Sequence, residues 1–381
     1  MYYTQSIMTE FQYDTLLKPE NICNLHRERI FLEKAIMAHE KVVIYGRRNS
    51  GKTSLVKNAI IPWFERKNKK IFILFVDLME VKDIASINER IRVGFERAFS
   101  KYFPAKSILN AALEMVGNLR PVVNLDELTG TPQLTLEVSK QKSISFVDIF
   151  SIIAKKISLT HKVLIVLDEF QDVALVPESQ GLFRQVFQEF EVGPIVIMGS
   201  KQHMLADLFA RAKAPLSRFG KDLNFGFLPY EEYHEYINER LSLRKRTIDF
   251  AVCKDLQDLL FRDPEAINIV CQSLLTLGTT QKISSEMIRL QIDLTIEARA
   301  SRFEQYLSQF SSREQELLVA LSKHGPIQMP SGKDFLKEVH VTARSVQLSF
   351  KKFLDHSVIE KRDTGYQIID PLFYYFLKKY R

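Results

Sequence analysis

The sequence has only three cysteines, Cys23, Cys253 and Cys271, far apart and without metal-ligand spacing. A disulfide framework and a zinc ribbon are thereby excluded, and the sparse, odd count fits a reducing cytoplasm. No apolar run approaches the roughly 18 residues that a membrane span needs. The first residues, Met-Tyr-Tyr-Thr-Gln, lack the basic-then-apolar pattern of a secretory leader. Glycine (14) and proline (13) are too few for a low-complexity or collagenous chain. Excess charge is also small: 53 Lys and Arg against 46 Asp and Glu give +7 over 381 residues. That permits nucleic-acid contact without demanding it. What remains is an ordinary globular composition, 46% hydrophobic and 26% charged, in a chain long enough for two or three domains.

The richest stretch is Gly46-Arg47-Arg48-Asn49-Ser50-Gly51-Lys52-Thr53, which spells G-x-x-x-x-G-K-T. The apolar run Lys41–Tyr45 before it reads as a buried strand, and Ser54–Ile60 after it has helical character. Strand, loop, helix is the setting of a phosphate-binding loop. Gly46 and Gly51 permit torsions a Cβ resists. The N–H groups of Asn49 to Thr53, Ser50 included, can converge at a helix N-terminus. Lys52 is placed to reach the β and γ phosphates and Thr53 to hold Mg²⁺; Ser54 extends the same binding segment, continuing the helix.

Val163–Leu167 reads as a buried parallel strand ending in Asp168 and Glu169. Asp168 is the expected partner of Mg²⁺ and Glu169 the residue that orients or deprotonates the attacking water. A third strand, Pro194–Met198, runs into Gly199-Ser200-Lys201-Gln202. Ser200 or Gln202 then either faces the γ phosphate or caps a helix. Further on, Arg218 in Pro215-Leu216-Ser217-Arg218 has three readings: an arginine finger (in its own chain or toward a second copy), a nucleic-acid contact, or a solvated side chain.

These residues resemble the archaeal-type ATPases of the STAND/AAA+-related P-loop class. The likeness rests on Arg27-Glu28 before the first strand, Tyr45–Leu55, Leu167-Asp-Glu-Phe-Gln171, Gly199-Ser200 with Met204, Pro215–Arg218, and Ile369-Asp-Pro-Leu-Phe373. It implies ATP rather than GTP, a helical lid after the core, and a terminal winged helix. The absence of an Asn-Lys-x-Asp run agrees with ATP. The family's Gly-x-Pro in the lid, near adenine, corresponds here to Arg262-Asp263-Pro264. Pro264 is the matching nucleotide-side position, and Arg262 departs from the pattern, bringing a guanidinium that either approaches phosphate or is solvated.

The fold class expected is α/β: a P-loop NTPase core with a parallel sheet of the ASCE type, then a helical lid and a C-terminal winged helix-turn-helix. The core spans 1–228, with an insertion at about 104–142 that holds a helical piece (Ile108–Val116) and a half-exposed strand (Gln133–Val138). The lid spans 229–302, with Tyr230, Tyr233, Ile237 and Leu241 as its apolar stripe. The winged helix spans 303–381, opening with a capping box at Ser312 and Gln315. Thr342 caps the recognition helix Ala343–Asp355, and a wing follows at 358–369. If that helix enters duplex DNA, Arg344, Gln347 and Lys351 face the groove, with Lys361 and Arg362 on phosphate. The module carries twelve basic against nine acidic residues, a modest +3.

Three functions remain open: an ATP-hydrolysing conformational switch requiring Mg²⁺, a DNA-binding ATPase, and a scaffold that binds ATP and a protein partner with little turnover. Each is compatible with a homo-oligomer, and none calls for a membrane.

Overall fold

The computed structural model describes residues 11–13, 15–18, 21–23, 25–103, 119–125, 132–138, 144–211, 213–217, 219–277, 282–339 and 341–381. Arg218 and the helical piece expected at Ile108–Val116 lie outside the described residues. The chain divides into two compact units: Leu16–Gly226, and Phe227–Arg381 together with the lead-in up to Thr15.

The first unit is built on five parallel strands, β1 (Lys41–Gly46), β2 (Ile71–Asp77), β5 (Lys162–Asp168), β6 (Ile195–Gly199) and β7 (Lys221–Phe225), in the order β2-β5-β6-β1-β7. The sequence suggests the P-loop strand at the centre. The structure instead puts β6 there, between the strand of Gly46 and the strand of Asp168, which is the strand insertion of the ASCE arrangement. Residue alternation explains the layering. Val43, Tyr45, Phe72, Leu74, Ile165, Leu167 and Ile197 share one face and pack on a phenylalanine-rich core. Helices α4 (Ile84–Tyr102), α5 (Phe146–Lys155) and α6 (Pro177–Glu189) supply that core. Val42, Ile44, Ile73, Leu164, Val166 and Met198 face the opposite core, with Leu32 and Ile36 of α1 (His26–Met37) and Trp63 and Phe64 of α3 (Ile61–Lys67).

The apolar pattern of the sequence places a strand at 223–227; β7 lies two residues earlier, at 221–225. It is an edge strand whose Lys221, Asp222 and Asn224 are exposed, so its polarity hides it, while Phe225 and Phe227 attract the reading downstream. The insertion holds an antiparallel ribbon of β3 (Leu119–Leu125) and β4 (Pro132–Val138). The sequence points only to the second strand, since Pro121 argues against a strand except in an edge position such as this one.

The helix after the P-loop is interrupted. α2 (Lys52–Leu55) passes into a π turn, Val56–Ile60, and then α3. Pro62 cannot donate to the carbonyl four residues back, and the wider π register precedes it. Leu17 is fastened to this segment at both its backbone groups. Its N–H donates to Ser54 Oγ at 3.1 Å and its carbonyl accepts from Asn58 Nδ2 at 2.6 Å.

In the second unit α8 (Tyr230–Ser242), α9 (Phe250–Leu259), α10 (Pro264–Leu274) and α11 (Ser285–Leu307) form the lid helices. Tyr233, Ile237 and Leu241 are buried, as their spacing requires. Phe11 is buried among them, its N–H accepted by Gln272 Oε1 at 3.0 Å. α11 runs unbroken across residue 302. Beyond it come α12 (Ser312–His324), α13 (Lys333–Val339), α14 (Ala343–Asp355), the wing strands β8 (Ile359–Arg362) and β9 (Gly365–Ile368), and α15 (Pro371–Tyr380). The capping box of α12 is formed by Ser311 and Glu314 rather than Ser312 and Gln315, one residue earlier than expected. Both pairs satisfy the S-x-x-E/Q pattern, and sequence alone does not choose between them. The Asp-Pro-Leu-Phe ending has a plain cause: Asp370 caps α15 by accepting from Leu372 and Phe373 N–H, with Pro371 at the first helical position. Among the described residues no helix is long and apolar enough to cross a membrane.

Candidate functional site

The carboxyl ends of β1, β5 and β6 meet at one edge of the sheet, where open α/β folds present ligand groups. Tyr45 is in register with Gly199, and Asp77 with Asp168. The loop after β1 places Asn49 and Gly51 at positive φ, 61° and 85°. A Cβ on Gly46 would lie within 3 Å of Phe225, Lys52 and Ser50, so this position has room for glycine only.

Lys52 is 5% exposed. Its ammonium donates to the carbonyls of Gly46 (2.8 Å) and Arg47 (2.6 Å) and to Ser50 Oγ (3.3 Å). Burial brings its pKa down to about 8, against the opposing pull of Glu169 and Asp168. Thr53 Oγ1 donates to Asp168 Oδ2 at 3.0 Å. Asp168 is equally buried, and burial pushes its carboxyl up to about 6, with Glu169 adding to the shift; the Thr53 hydroxyl and the Glu169 N–H work in the other direction. Ser54 is buried, and its hydroxyl is engaged by the Leu17 N–H, which gives it a structural role beside the loop.

Glu169 adopts φ 50°, an uncommon conformation for a residue with a side chain. Its N–H donates to Asp168 Oδ1 at 3.0 Å. Its Oε2 accepts from Ser200 Oγ at 2.9 Å and from Gln171 Nε2 at 2.7 Å. Of the two readings of Ser200, the helix cap is therefore excluded. Helix α7 (Gln202–Phe209) has Lys201 at its N-cap with no side-chain bond, and the Ser200 hydroxyl points to Glu169. Gln202 is exposed at the start of that helix. Asp77 is exposed and accepts from the Met79 N–H, and it contributes to Asp168 only through its charge.

The residue that sequence reasoning missed is Gln171. It is 1% exposed and stands between Glu169, Asp172 and Ser200. It stands in the Leu167-Asp-Glu-Phe-Gln171 run that carries the family resemblance, without a role assigned to it there, and a Cβ at Gly199 would lie 2.2 Å from its Oε1.

The donors suit a nucleotide with a hard cation. Thr53 and Asp168 offer oxygen ligands, and Mg²⁺ characteristically takes one or two protein oxygens plus phosphate and water. Among the described residues no group of three or more His, Cys, Asp and Glu side chains could hold a metal alone.

In the second unit, Pro264 opens α10 behind the Asp263 cap, which accepts from Ala266 N–H at 2.9 Å. Arg262 is engaged within its own unit. It sits at φ 55°, its guanidinium lies 4.1 Å from the Tyr230 ring centre and 4.7 Å from Phe227, and it donates to the Leu228 carbonyl. On the winged helix, Arg344, Gln347, Leu348 and Lys351 form one exposed stripe of α14, and Gln347 touches Ser331 Oγ at 3.3 Å. Lys361 is exposed on the wing. Arg362 is half-buried, paired with Glu360 and 5.4 Å from the Phe227 ring. That internal pairing sets it apart from the freely presented cations.

A family model described as a "probable winged helix domain" matches residues 301–379. Solved structures match the whole chain. The Walker-type ATPase PABY2304 of Pyrococcus abyssi aligns over 97% of this chain and 99% of its own, with a TM-score of 0.62 at 14% identity. The ORC2 protein of Aeropyrum pernix, solved in ADPNP–ADP complexes, aligns over 97% and 96%, with a TM-score of 0.55 at 12% identity. The chain has the fold of a Walker-type ATPase ending in a winged helix. No curated protein matches the sequence. At such identities the likeness is one of fold, and the chemistry of this Walker-type core has to be argued from its own residues. The comparisons carry nothing about a STAND affiliation.

Proposed function

We propose that this protein binds ATP with Mg²⁺ and hydrolyses it as a nucleotide-driven conformational switch. The observation that carries the reading is the Thr53–Asp168 hydrogen bond, with the Lys52 ammonium in the same loop and Glu169 next in sequence. Gly46, Asn49, Ser50 and Gly51 shape the phosphate cradle, and Lys52 neutralises phosphate charge. Thr53 and Asp168 would hold the cation, which would supply neutralisation of phosphate charge. Glu169 accepts a proton from water as the water oxygen bonds to the γ phosphorus. The bond to the bridging oxygen breaks, and its electron pair leaves with ADP. Ser200 holds the Glu169 carboxylate from the neighbouring strand. The family resemblance carries Pro264 over as a nucleotide-binding residue and Arg218 as an arginine finger, from the same chain or a second copy. The A. pernix ORC2 protein, of the same fold, was solved with ADPNP and ADP, which supports a nucleotide as the ligand.

The test pairs two variants. Lys52→Ala is expected to lose tight ATP binding. Glu169→Gln is expected to bind ATP and lose turnover by roughly 10²-fold or more. Wild-type turnover at background in every condition would leave the scaffold reading in its place.

A second reading is favoured by the exposed stripe Arg344, Gln347 and Lys351 with Lys361 beside it: a DNA-binding ATPase whose winged helix meets duplex DNA.

A further inference from the structure

The proposed reaction needs a carboxylate held still, and two side chains, Gln171 and Ser200, converge on that of Glu169. Gln171 lies two residues on, in the 3₁₀ turn Phe170–Leu175, with its side chain turned into the protein. Its amide orientation is fixed by its partners. Oε1 accepts the Ser200 backbone N–H at 3.2 Å, a group that can only donate. The –NH₂ group must then face the other way, and it donates to Glu169 Oε2 at 2.7 Å and to Asp172 Oδ1 at 3.3 Å, groups that accept. Asp172 is itself held by the Glu80 N–H at 2.7 Å and by Lys201 at 3.5 Å. One amide thus joins the end of β5 to the end of β6, twenty-nine residues away. Space for it exists because residue 199 is glycine.

We propose that Gln171 is a positioning residue for hydrolysis. It holds Glu169 Oε2, together with the Ser200 hydroxyl, so that Oε1 is the oxygen left for the attacking water. It also links any movement of Ser200 at the end of β6 to the aim of that carboxylate. This rests on the ATPase reading above. Gln171 touches no reacting atom; it acts through Glu169.

The experiment measures ATP affinity, turnover and melting temperature for wild type, Gln171→Met, Glu169→Gln and the double variant. Gln171→Met is expected to lower kcat roughly 10–100-fold, the scale of a misaimed catalytic group, with ATP affinity and melting temperature near wild type. In the Glu169→Gln background it should cost nothing further. Gly199→Ala should reproduce the kcat loss by displacing the amide, and should add nothing to Gln171→Ala, where the new methyl has room. Wild-type kcat in Gln171→Met, or a loss of ATP binding and melting temperature in step with kcat, would overturn the proposal. A readout independent of turnover is the ¹⁵N side-chain amide resonance of Gln171, expected to shift in Glu169→Gln. If wild type itself shows no turnover, the ATPase reading fails, and an unmoved Gln171 amide is then the separate result that overturns the link to Glu169.

Discussion

Thr53 and Asp168, 115 residues apart, share a 3.0 Å hydrogen bond from hydroxyl to carboxylate. Two strands that are not neighbours in the sheet therefore deliver their ends to one point, with β6 between them. The cost of that arrangement shows in the electrostatics: the Lys52 ammonium and the Asp168 carboxylate are both nearly out of water.

That cost predicts proton uptake on ATP binding. Burial holds the Lys52 ammonium down at about 8 in the free protein. Phosphate charge beside it stabilises the protonated form and raises that value. Above about pH 8 the free protein is partly neutral at Lys52 and the bound protein is charged, so binding takes up a proton and affinity falls as pH rises. Calorimetry near pH 8.5, about half a unit above that point, in buffers of different ionisation enthalpy, should show the uptake. Lys52→Arg, which stays protonated, should abolish it.

Asp168 carries the opposite test. Its folded pKa, about 6, lies above its ordinary value of 3.8. The stability it contributes is fully present below the ordinary value and is lost as pH rises through about 6. At neutral pH the buried charge is a cost, and Asp168→Asn should stabilise the ligand-free protein by on the order of 1–3 kcal/mol. The same variant should lose the Mg²⁺-dependent part of ATP affinity. Denaturant unfolding with and without Mg-ATP reads both effects, and a variant less stable than wild type at neutral pH contradicts the account.

On the winged helix, the geometry separates cations that one list of basic residues would merge. Arg344 and Lys351 stand exposed on α14, so Arg344→Ala and Lys351→Ala should each weaken DNA binding by about 1–3 kcal/mol, while Lys361→Ala on the exposed wing should reduce the salt slope by about 1. Arg362 is paired with Glu360 and packed by Phe227, so Arg362→Ala should leave that slope alone and loosen the wing. Anisotropy titrations across salt concentrations measure this. No binding at low salt removes the DNA reading.

The phosphate loop was legible because its chemistry is local: torsions, spacing and a strand on one side of a helix. Asp168 and Glu169 were legible for the same reason, at the end of a strand apolar on both faces. Ser200 was not: the sequence offers the γ phosphate or a helix cap, and its bond to Glu169 depends on where a distant strand ends. Gln171 was hidden more deeply. The run after Asp168 carries the family resemblance but gives no role to Gln171, and its bond to the Ser200 N–H beyond β6 appears only in the fold. Arg262 shows how a departure from a family pattern misleads. The turn at Arg262 has a left-handed backbone, φ 55°, and the guanidinium packs on Tyr230 and Phe227.

The missing side chain at residue 199 also has a consequence for descent. Because a Cβ there would stand 2.2 Å from the Gln171 amide oxygen, the two positions are not free to drift separately. Lineages of this chain should keep glycine and glutamine together or exchange both, and a sequence with alanine at 199 should carry a shorter residue at 171. Such paired change leaves a trace of the contact in sequences whose structures have never been seen.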